Sequence, residues 1–145
     1  MYLVSSCLAG VNCRYNGTNI ENKVIADLVK KGNAIAVCPE LLAGLHTPRP
    51  SCEIIIDEMG NKKVISKDKQ DFTKEFVEGS EKTLRIAKVI GIKKAILLSK
   101  SPSCGCGFIY NGAFSGGLIK GYGFTAELLL KNGIEVYTEN DLDKL

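Results

Sequence analysis

Three short apolar runs decide the fold that this sequence predicts: YLV at residues 2–4, AIAV at residues 34–37 and AILL at residues 95–98. Each run has the length and composition of a parallel strand that is buried on both faces. Each stands shortly before a cysteine, and these cysteines are Cys7, Cys38 and Cys104. The carboxyl ends of parallel strands meet at the edge of a sheet where ligands bind, so we expect the three thiols to meet there.

Helical patterns alternate with these strands along the chain. Apolar residues recur at helical spacing over residues 21–31 and 70–90, residues 125–132 form a further short helix, and residues 134–137 read as a fourth strand. Residues 52–57 and 62–66 read as a β-hairpin joined through Met59, Gly60 and Asn61, whereas residues 105–123 read as a mobile loop over the strand ends. The sequence therefore predicts an α/β fold: a single Rossmann-like domain over residues 1–145, with a short, mainly parallel sheet flanked by helices and an appended β-hairpin.

Composition narrows the class of protein. The 145 residues, of which 45% are hydrophobic and 24% charged, suffice for one well-buried core. The net charge of +3 suits a small anionic substrate but does not predict a basic face for duplex nucleic acid. The chain enters a strand without a basic leader, and no apolar run approaches the length of a membrane span, so we expect a cytoplasmic protein that binds no membrane. Six cysteines in that reducing compartment indicate metal or catalytic chemistry rather than a disulfide framework.

Three thiols from three separate segments suggest a soft metal centre. A site with three cysteine ligands leaves one metal position free of protein, and this open position separates a catalytic centre from a closed structural one. Cys7, Cys38 and Cys104 are therefore the candidate ligands.

Polar side chains stand beside two of these thiols. Glu40 follows Cys38 by two residues, and a partly desolvated carboxylate near a substrate is suited to general acid-base catalysis, although it could also be an ordinary loop carboxylate. Ser101 and Ser103 lie in the turn before Cys104, where their hydroxyls could move a proton, hold a substrate oxygen or cap the amides of the turn. Ser101 is the stronger candidate for a role in the reaction, because it follows the strand directly.

The other cysteines are assigned less directly. Cys13 could be a fourth ligand, a nucleophile, a redox partner or a buried structural thiol. Cys52 begins a strand and reads as a small core residue, whereas Cys106 forms a pair with Cys104 that is too close for a common zinc spacing.

Three cations in loops suggest binding of an anionic or carbonyl-bearing substrate. Arg14 and Arg49 suit a phosphate or a nucleobase carbonyl, whereas the single histidine, His46, reads as solvated or structural. Lys120 precedes the segment GYG at residues 121–123, whose backbone amides we expect to be free at a helix N-terminus, where a phosphate would bind.

Several separated motifs, taken in order, resemble the signatures of the DUF523 family. They are SCLAG at residues 6–10, CRYNG at residues 13–17, CPE at residues 38–40, GL at residues 44–45, PRP at residues 48–50, KSPSCG at residues 100–105 and GYGFTA at residues 121–126. The characterised members of that family are thiouracil desulfidases. The resemblance implies a 4Fe-4S cluster held by Cys7, Cys38 and Cys104, with one iron free for the sulfur of a thiolated base. It further implies Glu40 as the catalytic acid-base and Ser101 as a proton relay or substrate contact.

The function implied by the resemblance is non-redox desulfuration of thiouracil or a thiouridine nucleotide, with release of sulfide and the oxo base. The predicted substrate-binding residues are Ser103, Arg14 and Arg49, and the predicted partner is a small thiolated nucleobase or nucleotide, with the oligomeric state left open. Two alternatives remain, an iron-sulfur sulfur carrier and a non-enzymatic metal-binding module. Glu40 distinguishes these alternatives from the desulfidase hypothesis, because only a desulfidase needs this carboxylate.

Overall fold

The computed structural model describes all residues from 1 to 145. Its centre is a parallel sheet of four strands: β1 (Tyr2–Ser5), β2 (Ala34–Val37), β5 (Lys94–Leu97) and β8 (Glu135–Thr138). The strands lie in the order β2-β1-β5-β8, and every neighbouring pair is parallel. The α/β prediction with a mainly parallel sheet is confirmed.

The register of the sheet aligns the carboxyl ends of its strands. Ser5 at the end of β1 pairs with Val37 at the end of β2, and Leu97 at the end of β5 pairs with Thr138 at the end of β8. The chain therefore leaves each strand at the same edge of the sheet. Cys7 and Cys38 follow their strands at this edge, and the turn with Cys104 follows β5.

Helices cover both faces of the sheet because successive strand residues point to opposite sides. Val4 and Ile96 pack with Ile25 of α1 (Lys23–Lys30) on one face. Leu3 and Leu97 pack on the other face against α3 (Thr73–Ile90) and α4 (Phe124–Lys131), in a core that includes Ala87 and Leu129. The short helix α2 (Pro39–Leu42) follows β2 and contacts α3. None of these helices has both the length and the apolar character needed to cross a membrane.

Two antiparallel hairpins stand beside the sheet. The first, β3 (Cys52–Ile56) with β4 (Lys62–Ser66), is the hairpin that the sequence predicts. The second, β6 (Cys106–Tyr110) with β7 (Leu118–Tyr122), occupies the segment that we expected to be a mobile loop, so that expectation was wrong. Of its strand residues only Ile109 is buried, and several glycines interrupt the apolar alternation, which is why the pattern did not predict strands.

One glycine permits the close approach of α2 to α3. A Cβ atom on Gly79 of α3 would overlap the carbonyl oxygen of Pro39, at the start of α2. Backbone on both sides of this contact leaves little room for adjustment. Gly79 thus allows the segment Cys38–Glu40 to pack against the long helix.

Gly79→Ala is expected to destabilise the protein even though alanine is the better helix former. Alanine gains up to about 1 kcal/mol of helix propensity, while forcing α2 away from α3 costs about 1–3 kcal/mol and also shifts Pro39. Urea unfolding measures the change, with Glu81→Ala on the exposed face of the same helix as the control. Equal midpoints for the two variants would contradict this account of the contact.

Candidate functional site

A cleft of about 470 Å³ opens at the carboxyl edge of the parallel sheet. That volume is typical of sites for small molecules. Five of the six cysteines line it: Cys7, Cys13, Cys38, Cys52 and Cys104. The sixth, Cys106, lies outside the cleft, with its sulfur 3.9 Å from the carbonyl oxygen of Val136.

Each of the three predicted ligand thiols is placed by a different strand end. Cys7 lies in a single 3-10 turn after β1, Cys38 is the residue before α2, and Cys104 ends the turn after β5. Cys7 and Cys104 are buried, and Cys38 is half-buried. The hydroxyl of Ser5 donates a hydrogen bond to the sulfur of Cys104 at 3.3 Å. The structure therefore brings the three thiols to one cleft.

Cys13 is buried between two of these thiols. Its thiol lies beside those of Cys38 and Cys7. Interaction with the Cys38 thiol lowers the pKa of Cys13, but interaction with the Cys7 thiol and burial outweigh it and raise that pKa to about 11. Interaction with the Cys13 thiol is the largest influence that raises the pKa of Cys38, and burial is the second.

Burial is the largest influence on the pKa values of Cys104 and Cys52. It raises the pKa of Cys104 to about 12, against the lowering effect of the hydroxyls of Ser5 and Ser103. It also raises the pKa of Cys52 to about 12. Both are therefore neutral thiols at pH 7, and Cys104 would have to lose its proton to bind a metal.

Glu40 lies at the centre of a hydrogen-bonded network. Its Oε1 atom accepts from Nε of Arg49 at 3.0 Å, and its Oε2 atom accepts from the hydroxyl of Ser103 at 2.9 Å. The hydroxyl of Ser101 lies 3.4 Å from that of Ser103. A path of three groups thus runs from Ser101 through Ser103 to the carboxylate.

Ser103, not Ser101, is the hydroxyl that contacts Glu40. Ser103 is buried, and its hydroxyl also lies 3.6 Å from the sulfur of Cys104. The hydroxyl oxygen of Ser101 accepts the backbone N–H of Cys104 at 2.8 Å, which caps the turn. Ser101 therefore reaches Glu40 only through Ser103.

Arg49 is held by the protein on several sides. Its side chain is 6% exposed and pairs with Glu40. Its Nη2 atom donates to the carbonyl oxygen of Cys13 at 2.8 Å, and Nη1 donates to Thr47 Oγ1 at 2.9 Å and to the carbonyl oxygen of His46 at 3.2 Å. Arg49 lines the cleft, but most of its donors already have protein partners. Its geometry is that of a group that orients Glu40 and ties together the loops on either side.

The helix N-terminus at Gly123 holds the Ser101–Gly105 turn. The N–H groups of Phe124 and Thr125 bond to the carbonyl oxygens of Pro102 and Ser103 at 2.9 and 2.8 Å. A Cβ atom on Gly123 would lie 2.5 Å from the carbonyl carbon of Ser103. The expectation of free amides for a phosphate at this helix was therefore wrong. Lys120 is exposed on β7 and does not line the cleft.

Further charged residues from several segments line the cleft. Arg14 lines it as expected, and Lys67 and Lys100 add two further cations. Glu53 and Glu139 add carboxylates, and Glu139 accepts hydrogen bonds from the backbone N–H and hydroxyl of Ser99 at 2.8 and 2.6 Å. Cys52 packs partly on the core around Ile54, as predicted, but it also lines the cleft. Only the pairing of distant segments brings these side chains together.

The fold and the cleft define a small α/β enzyme that presents thiols, a carboxylate and hydroxyls to one small molecule. The chain belongs to the 2-thiouracil desulfurase family, whose sequence model matches residues 2–141. The resemblance to the DUF523 family is thereby confirmed.

Two relatives show how close the similarity is. A Bacillus subtilis (strain 168) protein named as the uncharacterized protein YbbK is 47% identical over a 150-residue alignment that covers 100% of this chain and 99% of the relative. A solved structure, the [4Fe-4S]-dependent thiouracil desulfidase TudS, is 40% identical with a TM-score of 0.89, and the match covers 99% of this chain and 93% of that chain. The likeness extends over the whole fold.

Proposed function

We propose that this protein desulfurates thiouracil or a thiouridine nucleotide without net redox change, and that Cys7, Cys38 and Cys104 hold a 4Fe-4S cluster in the cleft. Water supplies the oxygen, and the products are sulfide and the oxo base. One observation carries the proposal: three strand ends place three thiols in the same cleft as the hydrogen-bonded pair of Glu40 and Ser103. We place the reaction in the cytoplasm, where thiols stay reduced.

The donor set fits such a cluster. The three thiols that line the cleft at the strand ends are soft donors of the kind that iron-sulfur clusters use. The ligands of a cubane bind different irons and so stand further apart than the ligands of one ion. The thiols come from separate segments around a cleft of about 470 Å³, which offers room for a cluster and a small ring.

When bound, the cluster would supply a Lewis-acidic iron without a protein ligand, which accepts the thiocarbonyl sulfur and polarises the carbon–sulfur bond. The residues of the chain supply the proton chemistry. Glu40 takes a proton from the water that attacks the ring carbon, and Arg49 fixes the direction in which its carboxylate points. Ser103 and Ser101 extend this hydrogen-bonded path and can return a proton to the departing group.

The cations of the cleft favour an anionic substituent on the substrate. Arg14, Lys67 and Lys100 line the cleft, whereas Arg49 is largely engaged with protein acceptors. We infer that Ser103 and Arg49 act at the reacting end, and that Arg14 with the two lysines attracts the phosphate of a nucleotide.

A nucleotide is therefore expected to be a better substrate than the free base. We expect 4-thiouridine monophosphate to be turned over with a higher kcat/KM than 4-thiouracil, because the cleft cations attract its phosphate. The preference should shrink as added salt screens this attraction. Initial rates for both substrates across a salt series measure the effect. Equal kcat/KM values for the two substrates at low salt would contradict a phosphate contact, without bearing on the proposed chemistry at the base.

The protein reconstituted without oxygen is expected to contain about four irons and four sulfides per chain. Metal and sulfide analysis tests the cofactor, and release of sulfide with the oxo base from thiouracil tests the reaction. One zinc with no sulfide would overturn the cluster. Tight binding of added inorganic sulfide without turnover of thiouracil would favour the sulfur carrier, and a cluster with neither property would favour the metal-binding module.

A further inference from the structure

We propose that Phe114 is the surface on which the pyrimidine ring of the substrate stacks, and that Glu53 is the residue that positions it. This inference rests on the proposed function, because it names the contact that would recognise the base of that substrate. It assigns a task to the loop at residues 111–117, which connects β6 to β7 and which the reaction chemistry does not otherwise use.

Phe114 is an aromatic residue without a place in the protein core. It is half-buried and lines the cleft together with the cysteines and Glu40. It belongs to none of the three hydrophobic clusters that make up the core. An apolar ring that packs in no core and faces a substrate cleft is available for a ligand.

The backbone of Phe114 is held in a conformation that aromatic residues rarely adopt. Its φ angle is +55°, in the left-handed region, where a bulky side chain is uncommon. Such a conformation costs free energy and persists only where neighbouring groups fix it, and it is found often at ligand sites. Here it sets the direction in which the ring leaves the loop.

Glu53 provides the contacts that fix this conformation. Its Oε1 atom accepts the backbone N–H of Gly112 at 2.9 Å and that of Phe114 at 3.1 Å. The residue is 8% exposed and belongs to β3, so it anchors the loop of one hairpin to a strand of the other. Hydrogen bonds to a buried carboxylate are stronger than those between neutral groups.

The loop also packs tightly on that strand. A Cβ atom on Gly112 would lie 2.8 Å from Cγ2 of Ile55 and 2.9 Å from the carbonyl oxygen of Ile54. The φ angle of Gly112 is +87°, which glycine adopts without strain. Close packing and two hydrogen bonds thus preorganise the wall of the cleft that carries Phe114.

Phe114 suits the ring better than the two tyrosines of the cleft. Tyr15 is 41% exposed, and the guanidinium of Arg14 already lies 5.8 Å from its ring centroid. Tyr110 lies in β6 with regular strand pairing to Leu118. Only Phe114 combines a place in the cleft with a backbone fixed by a buried charged group. A flat apolar ring excludes water from one face of a pyrimidine and tolerates either the thio or the oxo base.

Phe114→Ala is expected to raise KM for the thiolated substrate by about ten- to a hundredfold, the usual worth of one base-aromatic stack. The value of kcat should change by no more than a few fold, because Glu40 and the thiols are untouched, and iron content should equal that of the unaltered protein. Phe114→Tyr should keep KM low because it keeps the ring, whereas Phe114→Leu, apolar but not flat, should raise it. Unchanged KM in Phe114→Ala would overturn the inference.

Glu53 is tested by rescue. Glu53→Ala should raise KM as Phe114→Ala does, because the loop loses its acceptor, whereas Glu53→Gln keeps an acceptor oxygen and should retain most of the binding. The double variant with Phe114→Ala should bind no more weakly than Phe114→Ala alone, since both changes remove the same contact. Additive losses, or equal losses for Glu53→Ala and Glu53→Gln, would overturn the positioning role.

The absence of tryptophan from the sequence allows a direct measurement of stacking. In the cluster-loaded protein, Phe114→Trp introduces a single indole into the cleft, and uracil should quench its fluorescence by stacking. Phe108→Trp is the matched control, because Phe108 is 53% exposed on the same hairpin and lies outside the cleft. Equal quenching of the two indoles would overturn the inference.

The two proposals fail in different ways. Turnover of thiouracil with unaltered KM in Phe114→Ala would overturn the role of Phe114 and leave desulfuration intact. Selective quenching of the indole in Phe114→Trp by uracil, in a protein that releases no sulfide, would support ring binding at this position and overturn the proposed reaction.

Discussion

Glu40→Gln is expected to keep the full iron and sulfide content and to lower kcat by about a hundredfold to ten-thousandfold. The carboxamide has the shape of the carboxylate: its oxygen can accept from Arg49 and its NH2 group can donate to the hydroxyl oxygen of Ser103, so the local packing survives. It has no strong basicity, however, and cannot take the proton of the attacking water. Sulfide release under substrate saturation measures kcat, and iron analysis of the same samples shows that the cofactor is retained.

A second carboxylate of the same cleft provides the control. Glu139 is hydrogen-bonded to the backbone and hydroxyl of Ser99 and has no contact with the Glu40 network. Glu139→Gln should therefore lower kcat far less than Glu40→Gln. Similar losses in both variants would mean that the negative charge of the cleft matters rather than proton transfer at Glu40.

The serines refine the same result. Because Ser103 contacts Glu40 directly and Ser101 acts through it, Ser103→Ala should lower kcat more than Ser101→Ala. This order reverses the one that the sequence suggests, in which Ser101 comes first because it leaves the strand. A larger loss of kcat in Ser101→Ala than in Ser103→Ala would contradict this order. It would mean that Ser101 carries the proton and that its capping contact with the Cys104 N–H is of secondary importance.

The parallel sheet and the meeting of the thiols could be predicted from sequence because both depend on local patterns. Continuous apolar runs give the buried strands, and parallel strands align their carboxyl ends, so Cys7, Cys38 and Cys104 had to emerge at one edge. The fold class thus follows from residue type and order alone.

The partners of the site residues could not be predicted, because they come from distant segments. Arg49 reads as a free cation in a loop, yet Glu40 and the carbonyl oxygen of Cys13, 36 residues away, hold it. The amides of α4 read as free, yet the Pro102 and Ser103 carbonyls occupy them. Cys52 reads as a core residue, and only the packing of the first hairpin brings it to the cleft.

The second hairpin was missed for a different reason. Its strands carry glycine at Gly107 and Gly121 and bury only Ile109, so neither alternation nor an apolar run stands out. Strand pairing and the contact from Glu53 hold it in place instead of a core of its own. A hairpin that contributes one buried residue, Ile109, to a hydrophobic cluster formed mostly by other segments leaves little trace in the hydrophobic pattern.

Replacement of any one of Cys7, Cys38 and Cys104 by Ala is expected to abolish retention of the iron-sulfur cluster. Each variant removes one of three thiolate ligands, and two protein ligands hold a cubane too weakly to survive purification. The folded state should persist, because each change removes a single sulfur atom and adds no polar group, at two buried positions and one half-buried position. Iron and sulfide analysis measures the loss, and circular dichroism shows that the chain remains folded.

The remaining cysteines supply graded controls for the ligand set. Cys106 lies outside the cleft, so Cys106→Ala should keep the full complement of iron. Cys52 lines the cleft but also packs on the core, and Cys52→Ala should keep it too. Cys13→Ala is the most demanding control, because the Cys13 thiol is buried beside those of Cys7 and Cys38. Retention of iron and turnover in Cys13→Ala would show that Cys13 is not a ligand, in agreement with one iron that is open for the substrate sulfur. Loss of the cluster in the Cys13 or the Cys52 variant would show that the ligand set is different.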